Sequence, residues 1–268
     1  MRDAPKKLTP RLLTAMKGVE KIAALTAYDF RTARILDEAG IPLILVGDSL
    51  GTTLLGFDNT LPVTLVDMIR HTAAVVRGAR RALVVVDMPF MTYQASVEQA
   101  LRNCGRVLQK TGCQAVKIEG GGFRAPTIAA LVQNGIPVLA HIGLTPQSIQ
   151  TLGFRVQGRG EEAARQLLAD ARAVEAAGAF AVVVETVPAA LGAQVAAAVR
   201  IPVIGIGAGP GCDGQILVIN DILGLSGDFK PKFVKRYADL GAQIAAAAET
   251  YKSEVETAAF PGPEHGYE

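Results

Sequence analysis

Apolar runs of six to eight residues recur along the chain, and stretches with helical spacing separate most of them. The runs are KIAALTAY (21–28), PLILVG (42–47), ALVVVDM (82–88), AVKIEG (115–120), PVLAHIG (137–143), AFAVVVET (179–186), PVIGIGA (202–208) and QILVIND (215–221). They are rich in Val, Ile and Leu and show little polar alternation, the pattern of parallel strands covered on both faces. EEAARQLLADARAVEAAG has the spacing of an amphipathic helix, and Gly178 at its end is a helix stop. AGIP, NGIP and VRIP read as strand entries, because proline imposes an extended start on the residue before it. Eight strands in repeated strand–helix order predict an α/β fold, a (β/α)8 TIM barrel. The length of 268 residues is close to the usual barrel of about 250. An open doubly wound sheet is the alternative. No linker or composition shift divides the chain, so a single domain over 1–268 is expected. It carries an N-terminal helical extension over about 1–20 and a Pro- and Gly-rich tail over about 255–268, FPGPEHGYE at its end.

Composition narrows the function. Half of the residues are hydrophobic and 19% are charged, enough for a large core and too apolar for disorder. A net charge of only +2 argues against nucleic acid as a partner. No apolar run reaches membrane-spanning length, and Glu185 and Arg200 interrupt the most apolar region. The N-terminus MRDAPKKLTPRLLTAMKG lacks the apolar core of a secretory signal. Cys104, Cys113 and Cys212, odd in number and widely spaced, suit reduced thiols in a cytoplasmic protein.

Charge collects where the strands end. Asp48 follows one strand within LVGDSLG, Asp87 closes the next, Glu119 ends AVKIEG and Glu185 ends AVVVET; His141 sits near the end of PVLAHIG. In a barrel these ends meet at one mouth, the face that carries the active site. Several carboxylates brought to one mouth repel each other and need a reason to be there. Each also has a plainer reading. Asp48 or Asp87 alone serves equally as a helix cap, and His141 alone is more often a structural histidine. Glu119 is harder to set aside, since glutamate is a poor strand residue and is seldom buried without a partner. Lys117, two residues earlier, shares its face of the strand, while Val116 and Ile118 face the helices. An internal salt bridge of Lys117 is compatible with a site.

Asp48, Asp87 and Glu119 without a thiolate or imidazole cluster suggest a hard divalent ion, Mg2+ most readily. Three negative charges against Mg2+ and Lys117 leave such a site near neutral. GIGAGPGCDGQ (205–215) fits neither a Walker loop nor a dinucleotide fingerprint, and a tight loop allowing close backbone approach is favoured.

The segments LTAYD, LVGDSLG, DMPF, AVKIEGG, HIGLTPQS, IPVIGIGAG and DGQILV, in this order and spacing, closely resemble the ketopantoate (3-methyl-2-oxobutanoate) hydroxymethyltransferase family from about residue 20 to the tail. The resemblance implies a (β/α)8 barrel that uses Mg2+ and 5,10-methylenetetrahydrofolate. It implies transfer of a hydroxymethyl group to 3-methyl-2-oxobutanoate through a Mg-stabilised enolate, giving 2-dehydropantoate for pantothenate synthesis. Matched by motif, Asp48, Asp87 and Glu119 serve the metal. Asp48, Ser49, Asp87 and Lys117 bind the ketoacid, His141 lines its pocket, and Glu185 is the proton acceptor. The family forms homo-oligomers, commonly decamers. Thr92, Thr186 and an LGFRVQGR segment one glycine short depart from the family pattern in loop detail only. Two other readings compete: a Mg-dependent aldolase or lyase acting on a 2-oxo acid, which would need no folate, and a non-catalytic scaffold barrel, which would be expected to have lost one of Asp48, Asp87, Lys117 or Glu119.

Overall fold

Eight parallel strands close on themselves in the computed structural model, which describes residues 7–227 and 231–267. They are β1 (Ile22–Thr26), β2 (Leu43–Val46), β3 (Leu83–Asp87), β4 (Ala115–Glu119), β5 (Val138–Gly143), β6 (Ala181–Glu185), β7 (Val203–Ile206) and β8 (Gly214–Leu217). Each pairs with its neighbour in sequence, and β1 closes the barrel on β8 through Ile22↔Gly214 and Leu25↔Leu217. The barrel expected from the sequence is therefore the fold, and the open doubly wound sheet is not.

Residue parity decides what fills the barrel. Ile22 and Ala24, Leu43 and Leu45, Leu83 and Val85, Ala115, Leu139, Ala181 and Val183, Ile204 and Ile216 form one buried apolar cluster. Leu13, from a short helix at Pro10–Thr14, joins that cluster, and Leu8 and Met16 pack against it. The helix starts where it does because the Thr9 side chain accepts a hydrogen bond from Leu12 N and Pro10 occupies the first turn. Residues 1–6 of the expected N-terminal extension lie outside the described residues. Continuing the same parity along β3, β4, β5 and β6, by one step or, on β4, by two, reaches Asp87, Lys117, Glu119, His141 and Glu185. The interior is thus apolar at the N-terminal ends of the strands and charged at their C-terminal ends.

Helices Phe30–Glu38, Leu65–Gly78, Val97–Thr111, Ala125–Gln133, Glu161–Ala176 and Ala189–Ala198 fall between successive strands. Gly178, at φ +95°, lies just beyond Glu161–Ala176, as its place in the sequence suggested. No helix joins β7 to β8. The Gly-rich segment there lies close against helix Ala189–Ala198: a Cβ on Gly192 would collide with the Ala208 carbonyl oxygen, and one on Gly211 would sit 2.6 Å from Ala193 Cβ. Close backbone approach is what these glycines serve. The last apolar run is shorter as a strand than its composition suggested. β8 ends at Leu217, and Ile219–Ile222 coils into a helical turn. Ile and Leu suit either state, and in so short a run they do not decide between them.

The described residues fall into two compact units, one running to Val218 and holding all eight strands, the other starting at Ile219. The second contains helix Leu240–Glu256 and a single 3-10 turn at Pro263–His265 within the Pro-rich tail. Among the described residues no helix is long and apolar enough to cross a membrane.

Candidate active site

The register of the barrel places the charged residues side by side. Asp87 on β3 pairs with Lys117 on β4, Glu119 on β4 with His141 on β5, and Gly143 on β5 with Glu185 on β6. Lys117 Nζ donates to both Asp87 oxygens, at 2.7 and 2.8 Å, and lies 3.4 Å from Glu119 Oε1. His141 lies between two acids, with Nδ1 3.4 Å from Glu119 Oε1 and Nε2 3.2 Å from Glu185 Oε2. Neither approach is aligned as a hydrogen bond, so charge ties the ring to both acids. The cluster is therefore a chain from Asp87 through Lys117, Glu119 and His141 to Glu185. All of it is buried except Glu185, whose side chain keeps 14% of its surface open.

Asp48 enters from the turn after β2, its backbone N–H 3.4 Å from Asp87 Oδ2. Its carboxylate does not cap the following helical turn; it accepts from Gln147 Nε2 at 3.0 Å. Asp87 likewise bonds Lys117 and not a helix end. The cap readings of these two residues are set aside, and the internal salt bridge of Lys117 is present within the cluster. Ser49, next to Asp48, has its Oγ 2.9 Å from Tyr28 Oη, which also accepts from Thr26 Oγ1 at 2.9 Å. Gly47 leaves room for that hydroxyl, since a Cβ there would stand 2.7 Å from Ser49 Oγ.

Burial in a crowded acidic site sets the protonation equilibria. Asp48 is pushed well above the usual carboxylate range by burial, then by the Asp87 charge. Burial also raises Asp87, with Lys117 acting against it. Glu119 moves the other way: burial would raise it, but Lys117 and His141 outweigh burial and lower it. Burial works to lower Lys117, and the charges of Asp87, Glu119 and Asp48 overcome it and raise its pKa. Burial and Lys117 both work to lower His141, while Glu119 and Glu185 on its two sides lift it to about 9.

This donor set suits a hard divalent cation. Asp48, Asp87 and Glu119 offer three buried carboxylates, the hard oxygen donors that such an ion takes. Their oxygens are engaged by Lys117, Gln147 and His141, and among the described residues no three His, Cys, Asp or Glu side chains converge on one point in ligating geometry.

All six charged residues expected at the mouth are thus joined by direct contacts, and Ser49 borders them. Three residues that bind them were not singled out beforehand. Tyr28 holds Ser49; Tyr93 Oη accepts from Glu119 N at 3.0 Å; and Gln147 reaches Asp48 and Glu119 together. Tyr28 and Gln147 lay within LTAYD and HIGLTPQS, but nothing in a loop sequence states which way a side chain points.

Comparison with known proteins shows the family and the fold. The family model described as ketopantoate hydroxymethyltransferase matches residues 7–263. Proteins named 3-methyl-2-oxobutanoate hydroxymethyltransferase are 60% identical in Geotalea daltonii, over 90% of this chain and 91% of that protein. In Chloroflexus aurantiacus such a protein is 59% identical, over 92% and 87%. In Syntrophus aciditrophicus the identity is 52%, over 98% and 97%. Among solved structures, a 2,3-dimethylmalate lyase of the PEP mutase/isocitrate lyase superfamily superposes with a TM-score of 0.61 at 19% identity, covering 97% of this chain and 92% of that one. A phosphonomutase-like protein from Burkholderia cenocepacia superposes with a TM-score of 0.63 at 19% identity, covering 78% and 92%. These two establish the barrel fold. The sequence matches go further, and by them the chain belongs to the ketopantoate hydroxymethyltransferase family.

Proposed function

We propose that the barrel transfers a hydroxymethyl group from 5,10-methylenetetrahydrofolate to 3-methyl-2-oxobutanoate, giving 2-dehydropantoate and tetrahydrofolate with uptake of water. The observation that carries this reading is the unbroken chain Asp87–Lys117–Glu119–His141–Glu185 at the strand ends, with Asp48 against Asp87. Asp48, Asp87 and Glu119 would hold Mg2+, which when bound supplies positive charge beside the keto oxygen and acidifies the neighbouring C–H.

The residues of the chain then have distinct tasks. Lys117 adds a second positive charge near the oxygens of the ketoacid. The Ser49 hydroxyl, oriented by Tyr28, hydrogen-bonds the ketoacid carboxylate. Glu185 accepts the proton from C3, and its open side chain stands where a substrate can reach it. His141 lines the pocket and fixes the Glu185 carboxylate by its charge. C3, having lost its proton, forms the new bond to the one-carbon unit of the folate.

The same proposal includes a homo-oligomer, a decamer by the family resemblance, in a cytoplasmic setting. Helix Leu240–Glu256 supports the first, since it carries exposed Ile244, Tyr251 and Val255. The three free, buried thiols support a reducing compartment.

The test is an assay with 3-methyl-2-oxobutanoate and Mg2+, with and without methylenetetrahydrofolate, and with EDTA. Formation of 2-dehydropantoate only in the presence of both folate and metal is expected. Turnover of a 2-oxo acid without folate would replace this reading with an aldolase or lyase. Full activity in metal-free protein would remove the ion from it.

A further inference from the structure

Gln147 sits on the 3-10 turn Pro146–Ser148 after β5, apart from both the turn that carries Asp48 and the strand that carries Glu119. Its side-chain amide is saturated. Nε2 donates to Asp48 Oδ2 at 3.0 Å and to the Met88 carbonyl at 2.9 Å. Oε1 accepts from Tyr93 Oη at 2.8 Å and from Gln94 Nε2 at 3.0 Å. Two donors and two acceptors leave no freedom to flip or rotate. The backbone N–H of the same residue donates to Glu119 Oε2 at 3.0 Å, and Tyr93 Oη accepts from Glu119 N at 3.0 Å. One buried residue thus spans the acids at the ends of β2 and β4. Among the described residues it is also the donor that hydrogen-bonds the Asp48 carboxylate, since Lys117 is spent on Asp87 and Glu119. A neutral amide can do this where a second lysine would cancel the negative charge that a cation needs, and where an acid would repel Asp48.

We propose that Gln147 is a positioning residue, which fixes the Asp48 and Glu119 carboxylates at the spacing that the metal ion and the 2-oxo acid require. This rests on the proposed function for the identity of those ligands, but the coupling of Gln147 to Asp48 does not. Groups that orient ligating side chains from behind commonly change metal affinity ten- to a hundredfold when removed.

The experiment uses the full chain and has two arms. In metal-stripped protein, Gln147→Glu keeps the size and the Oε1 acceptor but sets a carboxylate oxygen against Asp48 Oδ2. Its melting temperature should fall, and adding Asp48→Asn should recover part of the loss, the part set by the Met88 carbonyl remaining. Strict additivity of the two changes would overturn the coupling. In the second arm, Mn2+ affinity is read from the electron paramagnetic resonance of the free ion and 3-methyl-2-oxobutanoate affinity from calorimetry, for Gln147→Glu and Gln147→Met. A ten- to hundredfold weakening of Mn2+ in folded protein supports the proposal. Wild-type affinity for both ligands in both variants would overturn it, leaving Gln147 a packing residue. Should the wild-type chain itself bind no Mn2+, the metal in the proposed function fails, and Gln147 is judged by the thermal cycle and the ketoacid affinity. If Gln147→Glu does not fold, Gln147→Met serves both arms.

Discussion

His141 Nε2 stands 3.2 Å from the Glu185 carboxylate, while the opposite ring nitrogen stands 3.4 Å from Glu119. The ring therefore joins the acid proposed to move a proton to an acid proposed to hold a metal. Glu185→Gln separates the two tasks. Turnover should fall on the order of a hundredfold or more, as for loss of a positioned acid–base group, while Mg2+ and ketoacid affinities stay near wild type. Exchange of the C3 hydrogen with deuterated water, run with Mg2+ but no folate, should disappear. The His141 pKa, followed by NMR, should fall from about 9, because one of the two acids that lift it is gone. Wild-type exchange in the variant would remove Glu185 as the base.

Lys117→Met tests the balance of charge. It leaves Asp48, Asp87 and Glu119 buried without their ammonium. Breaking a buried ion pair from one side costs about 3–5 kcal/mol. Because Asp48 and Asp87 already titrate above the usual carboxylate range, they can take up protons to relieve the excess. The loss in metal-free protein should therefore be large at pH 8 and clearly smaller at pH 5, measured by chemical denaturation. An equal loss at both pH values would mean that Lys117 stabilises through packing and not through charge.

Asp87, Lys117, Glu119, His141 and Glu185 were legible in the sequence because strand geometry has a period of two. Once the core side of AVKIEG is known to hold Ala115, Lys117 and Glu119 must share it. Closure of the barrel then brings separate strand ends together without further information. Gln147, Tyr93 and Tyr28 were not legible as site residues. They lie on loops, where no periodicity fixes side-chain direction, and their roles depend on partners up to 99 positions away, as Gln147 is from Asp48. The turn at Ile219–Ile222 was misread for a related reason, since its Ile residues are equally at home in a strand.

Tyr28→Phe probes the support of Ser49. The change removes the hydroxyl that stands 2.9 Å from both Ser49 Oγ and Thr26 Oγ1 and keeps the ring. With its orientation lost, Ser49 should bind the ketoacid less well by the value of one hydrogen bond, about 1 kcal/mol. KM for 3-methyl-2-oxobutanoate should rise about fivefold at this cost, since 1.4 kcal/mol is tenfold, with kcat little changed. Ser49→Ala should give a similar KM, and the double variant should add little to either. Independent, additive effects of the two changes would show that Tyr28 does not act through Ser49.

The stability of metal-free protein should fall as pH rises from about 6.5 to about 9. The folded pKa of His141 lies above its ordinary value of 6.5, at about 9, so its contribution is fully present below pH 6.5 and is lost as pH passes through 9. The shift corresponds to about 3 to 4 kcal/mol at most, at roughly 1.4 kcal/mol for each pH unit. Asp48 and Asp87 act with the same sign, their raised values making the protonated forms favourable at low pH and the charged forms costly above. Glu119 acts oppositely, but its lowered pKa places that effect below the ordinary glutamate value of 4.5, outside this range. Denaturation of the metal-free protein at intervals from pH 6 to 10 measures the slope. His141→Asn should flatten it, because the amide carries no titrating proton between Glu119 and Glu185. A stability that rises with pH over this interval, or a slope unchanged in His141→Asn, would show that the imidazole is not held in its charged form by the two acids.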